Sequence, residues 1–178
     1  NRVISMALIH EELYGSKEVS ILNFATYLQK LTEELFRCYN VGTSGTEMVL
    51  EIEENIFFDM DTAVPLGMIV NELVSNSLKH AFPGGKTGKI QIKLSRAISE
   101  KFEHSEIKDS NEACKGTSYV LIVSDNGVGI SESISLEDSD TLGIQLVTIL
   151  VDQLDGELDL NRASGTEFTI KIKVAENK

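Results

Sequence analysis

Glu72, Asn76, Lys79 and His80 gather an acid, an amide, an ammonium and an imidazole within the stretch Asn71-Glu72-Leu73-Val74-Ser75-Asn76-Ser77-Leu78-Lys79-His80. The surrounding pattern predicts a helix. Offsets of i, i+4, i+7 and i+8 then put the four groups on one stripe. Such a set can hold a metal ion and a phosphate chain. The amide oxygen of Asn76 is a neutral hard ligand, of the kind magnesium takes beside phosphates and waters. Glu72 can polarise a water or hydroxyl, and Lys79 can lie along a phosphate as a point charge. His80 is either a phosphate donor or a favourable end to its own helix. Taken singly, each residue also has an ordinary reading as polarity on a helix surface.

Further along the chain comes Asp125-Asn126-Gly127-Val128-Gly129-Ile130, a glycine turn after an apolar strand. A carboxylate such as Asp125 can accept a hydrogen bond from an exocyclic amine like that of adenine. Gly127 and Gly129 allow a sharp turn or close approach to a flat ligand, although Asp-Asn-Gly is also a common turn. Thr141-Leu142-Gly143 opens another predicted helix, whose free N–H groups suit phosphate. Gly165-Thr166 precedes the last strand, where Thr166 reaches either a ligand or its own backbone. No one of these is decisive, but their order makes a nucleotide the leading reading.

Several elements must position these groups. Residues 1–14 read as a helix with apolar groups around much of its circumference. Asn23 is a plausible N-cap for a second helix, with Phe24, Leu28, Leu31, Leu35 and Cys38 on one face. Residues 47–58 are strand-like, with a turn at Glu53-Glu54-Asn55. Pro65 suits the first turn of the helix that carries the stripe, and Pro83-Gly84-Gly85 must end it. Strands follow at Ile90–Leu94 and Tyr119–Val123, the second so continuously apolar that it reads as central. The polar connector 97–118 is long and reads as an extended hairpin loop rather than a domain boundary. Residues 131–140 form a second, acidic loop. A helix with Leu142, Leu146, Ile149, Leu150 and Leu154 comes next, then strands at Glu157–Leu160 and Glu167–Val174. This order predicts an α+β fold: a two-layer α/β sandwich, its mixed sheet carrying helices on one face, plus an N-terminal helical segment.

The 178 residues, 42% hydrophobic and 25% charged, suit one globular domain with a helical appendage. A net charge of −12 argues against nucleic acid. No apolar run approaches the roughly 18 residues of a membrane span, so no direct membrane contact is expected. The first residue is Asn, with no signal segment after it, which is expected of a fragment of a larger protein. The two cysteines, Cys38 and Cys114, lack metal-site spacing, and a reducing compartment is the default.

Together these motifs resemble the ATP-binding catalytic domain of sensor histidine kinases, within the gyrase, Hsp90, histidine kinase and MutL ATPase superfamily. Asn71–His80 looks like the family's N box and Asp125–Gly129 like its first glycine box. Leu142-Gly143 looks like the second box in reduced form, and Gly165-Thr166 like the late Gly-Thr. Ser5–Tyr14 is similar to the second dimerisation helix of the non-classical subclass, in which the phosphorylated histidine lies on the preceding helix. The resemblance implies a left-handed Bergerat sandwich over residues 21–178, with residues 1–20 as the end of the dimerisation region. It implies ATP and magnesium as ligands. Asn76 would coordinate the metal, and Lys79 and His80 would contact phosphates. Asp125 would bind the adenine amine, Gly127 and Gly129 would shape the pocket, and residues 130–143, from Ile130 through Thr141, Leu142 and Gly143, would form a lid. Thr166 would complete the nucleotide site and Glu72 would assist phosphoryl transfer. The implied partners are a phosphoacceptor histidine helix of the same protein or a dimer mate, and a response-regulator receiver domain. The implied setting is a homodimeric cytoplasmic protein, with a membrane anchor elsewhere left open. The chain departs from the pattern in keeping one glycine in the second box and in lacking a clear F box. His10-Glu11 lacks the downstream proline and basic residue of the phosphorylation site in classical kinases, so His10 reads as an interface residue. Two other readings stay open: an ATP hydrolase or clamp of the same superfamily, and a non-catalytic nucleotide-sensing module.

Overall fold

The computed structural model describes residues 21–39, 45–97, 116–131 and 142–175. The helical segment read at residues 1–14, most of the 97–118 connector, most of the acidic loop, and Thr141 lie outside the described residues. The elements run β1 (Ile21–Asn23), α1 (Phe24–Tyr39), β2 (Thr46–Ile52), β3 (Phe57–Asp59), α2 (Met60–Asn76), β4 (Gly88–Arg96), β5 (Gly116–Asp125), α3 (Leu142–Gln153), β6 (Glu157–Asn161) and β7 (Thr166–Ala175). A π turn, Ser77–Ala81, extends α2, and a 3₁₀ turn, Pro83–Gly85, follows it.

Five strands form a mixed sheet in the order β2-β4-β5-β7-β6. Only the β2–β4 pair is parallel. The β4–β5 pairing, Arg96 opposite Tyr119, fits the hairpin read from the sequence. β5 is the central strand and is longer than its apolar run, because Asp125 remains in register with both Ile90 and Thr166. Along β5, Tyr119, Leu121, Val123 and Asp125 are buried while the residues between them are half-buried. One face of the sheet therefore carries the core, and strand periodicity puts Asp125 on that face.

The helices cover this inner face. Asn23 caps α1, accepting the Thr26 N–H at 3.2 Å. The helix then buries Phe24, Tyr27, Leu28, Leu31 and Leu35 completely. A small antiparallel pair, β1 with β3, is absent from the sequence-based order. It packs through Phe58, whose ring meets Phe24 at 5.1 Å and Tyr119 at 4.8 Å. The pair also moves the start of α2. Asp59 closes β3 and caps the helix, accepting the Thr62 N–H at 3.0 Å, so α2 begins at Met60 and Pro65 lies inside it. The proline signal was misleading because the Asp59 cap precedes it by more than a turn. At the far edge of the sheet, the Arg96 backbone N–H donates to Glu53 Oε2 at 2.7 Å. That bond, with the Arg96 guanidinium, holds the Glu53 carboxyl below its usual range.

Candidate functional site

Asp125 is the natural starting point, because a carboxylate only 7% exposed must be satisfied. Its Oδ2 accepts from the Ser77 hydroxyl at 2.7 Å, and its Oδ1 accepts from the Gly127 backbone N–H at 3.0 Å. The glycine turn folds back over the end of α2. Val128 N–H donates to the Ala81 carbonyl at 2.9 Å. A side chain at Gly127 would run into that same Ala81 backbone, and Gly129 has a φ of +77°. Both glycines are thus required by close approach or left-handed backbone.

A cavity of about 390 Å³ opens beside this carboxylate, a size in the range of small-molecule sites. Asp125 and Thr166, which face each other across the β5–β7 pair, both line it. Leu73, Ile130, Ile144 and Phe168 give it apolar walls, and Asn76, Ser77, His80, Gly129 and Gly143 are among the rest of the lining. Gly143 opens α3 against α2. A Cβ there would stand 3.2 Å from Glu72 Oε2 and 3.5 Å from Asn76 Nδ2. The missing side chain therefore leaves the Glu72 and Asn76 polar groups facing the start of α3.

The sequence-read residues are gathered unevenly. Asn76, His80, Asp125, Gly129, Ile130, Gly143 and Thr166 line the cavity, and Gly127 shapes its turn. Glu72 is half-buried beside Gly143 rather than in the lining. Lys79 leaves the stripe, its Nζ lying 5.3 Å from the centroid of the Tyr39 ring of α1. The π turn explains the split. It winds more widely than an α-helix, so the α-helical offsets that aligned Lys79 with Asn76 no longer hold beyond Ser77. Leu142 is 68% exposed and outside the cavity.

Ser77 escaped the sequence reading. It directly follows Asn76, but only the pairing with β5 reveals that its hydroxyl orients Asp125. Ser77→Ala removes one hydrogen bond to a charged group, a loss of about 1.5–3 kcal/mol where the bond is fully made. ADP affinity measured by calorimetry is expected to fall about tenfold, with little change in the fold.

The residues fit ATP with magnesium. The cavity lining includes an oriented, buried carboxylate, Asp125, and the side-chain amide of Asn76. Among the described residues, no group of three or more His, Cys, Asp or Glu is gathered that could hold a metal ion. A magnesium ion at Asn76 would therefore take its other ligands from phosphates and water.

This architecture, with its cavity between α2, the glycine turn and the start of α3, defines a nucleotide-binding ATPase domain. The family model of the histidine kinase-, DNA gyrase B- and HSP90-like ATPases matches residues 61–176, and the chain belongs to that family. A second family model, described as histidine kinase, matches residues 1–39. The chain is similar to the sensor histidine kinase PdtaS of Mycobacterium tuberculosis, 28% identical over 97% of this chain and 31% of the relative. It is also similar to blue-light-activated histidine kinase 2 of Erythrobacter litoralis, 24% identical over 99% of this chain and 47% of the relative. The chain thus spans between about a third and a half of the curated relatives it matches. Among solved structures, the histidine kinase domain of an Erythrobacter litoralis blue-light activated kinase superposes with a TM-score of 0.78 at 22% identity, over 97% of this chain and 73% of that one. The fold is accordingly the Bergerat sandwich.

Proposed function

We propose that this chain is the ATP-binding catalytic part of a two-component sensor histidine kinase. It transfers the γ-phosphoryl group of ATP to a histidine on a helix outside this chain, from which a response-regulator aspartate receives it. The observation that carries this reading is the buried, doubly hydrogen-bonded Asp125 in the lining of a cavity that Asn76 and Gly143 also line. Both curated relatives named above are sensor or light-activated histidine kinases by name.

Each residue has a part. Asp125 has two oxygens already accepting from Ser77 and Gly127, and lone pairs remain to accept from the adenine amine. Thr166 and the Gly129–Ile130 turn border the base; the lid read at residues 130–143, Thr141 included, falls largely outside the described residues. His80 donates to phosphate from the cavity wall. Lys79 reaches phosphate only by leaving Tyr39. Asn76 offers its amide oxygen to magnesium, which when bound supplies charge neutralisation to the phosphates. Glu72 receives the proton of the attacking imidazole nitrogen as the N–P bond forms and the bond to the β-phosphate oxygen breaks. Such catalysis rests on positioning and charge more than on covalent chemistry.

In this reading, residues 1–20 end the dimerisation region and residues 21–178 form the catalytic domain. The fully buried α1 residues support the boundary by sharing the sandwich core. His10 stays an interface residue of a homodimer, and the phosphoacceptor helix comes from the same protein or its mate. Among the described residues no helix is long and apolar enough to cross a membrane. We assign the domain to the cytoplasm, where ATP and response regulators are found.

The test is incubation with γ-labelled ATP, alone and with an added phosphoacceptor helix. Acid-labile, base-stable label on the added helix is expected. Free phosphate released without any acceptor would instead assign a hydrolase. No nucleotide-dependent rise in melting temperature would overturn both readings.

A further inference from the structure

Asn71 is an amide in the middle of α2 with only 1% of its surface exposed. It stands one helical turn from Gly67, whose missing side chain makes room for the Tyr27 ring of α1, so it lies on the stripe of α2 turned toward α1. Its Nδ2 donates to Glu72 Oε1 at 3.4 Å, while its Oδ1 is buried with no hydrogen-bond partner among the described residues. Neighbouring residues on a helix do not face each other. The Asn71 amide must therefore bend toward Glu72, a contact that helix geometry does not supply by default.

The two Glu72 oxygens are thereby distinguished. Oε1 takes the Asn71 donor and Oε2 faces the start of α3 at Gly143, where the Asn76 amide also lies. An ionised carboxylate accepts and cannot donate, so a donor such as the Asn71 amide is the kind of group that can orient it. A leucine would fill the same buried space without leaving an acceptor orphaned, which is costly. Rules of good packing are broken mainly where function requires it.

We propose that Asn71 is a positioning residue for phosphoryl transfer, whose amide N–H holds the Glu72 carboxylate with Oε2 toward Gly143 and the Asn76 amide. The inference rests on the role proposed above for Glu72. It separates activity from both binding and stability.

Asn71→Leu and Asn71→Asp are measured beside Ser75→Ala and Glu72→Gln, with a phosphoacceptor helix supplied in trans. Ser75 is the control, because it is buried one turn further along α2 and its Oγ likewise has no partner among the described residues. Asn71→Leu is expected to melt at or above the parent temperature and to bind ADP within about threefold of the parent. Its phosphotransfer rate at saturating ATP is expected to fall about ten- to a hundredfold, the usual loss when a supporting hydrogen bond to an active group is removed. Asn71→Asp is isosteric and places a second carboxylate beside Glu72. It is expected to lose at least as much rate and serves as the deciding variant should Asn71→Leu not fold. Ser75→Ala is expected to keep the parent rate. Full rate in both Asn71 variants, with Glu72→Gln inactive, would overturn the inference alone. Parallel loss of ADP affinity and rate in both variants would reduce Asn71 to a packing residue. Full rate in Glu72→Gln would overturn the role of Glu72 and this inference with it.

Discussion

Asn76→Ala should leave the domain folded and abolish the part of its nucleotide affinity that depends on magnesium. The substitution sits at the end of α2, where alanine is the most favourable residue a helix can hold. Asn76 is half-buried, so no large cavity results. What disappears is one neutral oxygen donor at the cavity wall. Interactions of this strength, between a polar group and an ion, contribute about 1.5–3 kcal/mol, or roughly ten- to a hundredfold in affinity. The measurement is the shift in melting temperature caused by ADP, with magnesium and with a chelator. In the parent the shift should be larger with magnesium. In the variant the two shifts should coincide, and phosphotransfer to an added helix should fall by about a hundredfold or more. A variant that keeps the full magnesium-dependent increment would remove Asn76 from the metal site.

The layering of the fold was legible because hydrophobic periodicity carries it. β7, α1 and α3 each repeat at the period of their element, and their bounds fall within two residues of the sequence reading. The β1–β3 pair was not legible. Strands of three residues hold too few positions to show alternation, and Ile21–Asn23 and Phe57–Asp59 are defined by each other across distant sequence. The start of α2 was lost with them, since its cap is the last residue of β3. The continuous apolar run of β5 marked it as central, as it is, but did not tell its buried face from the alternate residues that are half-buried. Composition reports that a strand is central, whereas coverage depends on which elements pack on each face.

The site was legible where the chemistry is local and hidden where it depends on pairing. Asp125 ends its strand and the glycines follow it at once, so one short stretch announced the turn. Ser77 is separated from Asp125 by most of two strands and a loop, and its role appears only when β5 comes to rest against the end of α2. Lys79 was aligned with Asn76 by assuming an unbroken α-helix. A π turn carries no sequence signature as plain as a proline or a glycine, so the change of pitch that turns Lys79 toward Tyr39 had no local sign. Asn71 had no task legible in the sequence: adjacent helix positions ordinarily diverge, and its contact with Glu72 shows only in the structure.

Asp125→Asn should change which base the cavity prefers, beyond weakening its grip on adenine. In the parent, both carboxylate oxygens accept: one from the Ser77 hydroxyl, the other from the Gly127 N–H. The amide of asparagine has the same shape but only one acceptor. Gly127 N–H is a fixed donor and needs that oxygen. Ser77 is adaptable, since a hydroxyl can turn and accept from the new NH2 group. The turn is therefore preserved, and the melting temperature should stay near the parent value. The remaining N–H then points where the parent offered an acceptor. An adenine amine meeting that N–H has two donors opposed, whereas the 6-oxo group of hypoxanthine would be accepted. Sites built to hydrogen-bond one polar group reject a mismatched one strongly, because the buried partner is left unpaired. ADP affinity is expected to fall about a hundredfold and IDP affinity to rise, so that their ratio narrows or inverts by calorimetry. Asp125→Ala is the contrast. It strips the acceptor from Ser77 and Gly127 together, so it should lose both nucleotides alike and also lower the melting temperature. An unchanged ADP-to-IDP ratio in Asp125→Asn would mean that the adenine amine is not read by this carboxylate, and the base would then have to sit elsewhere in the cavity.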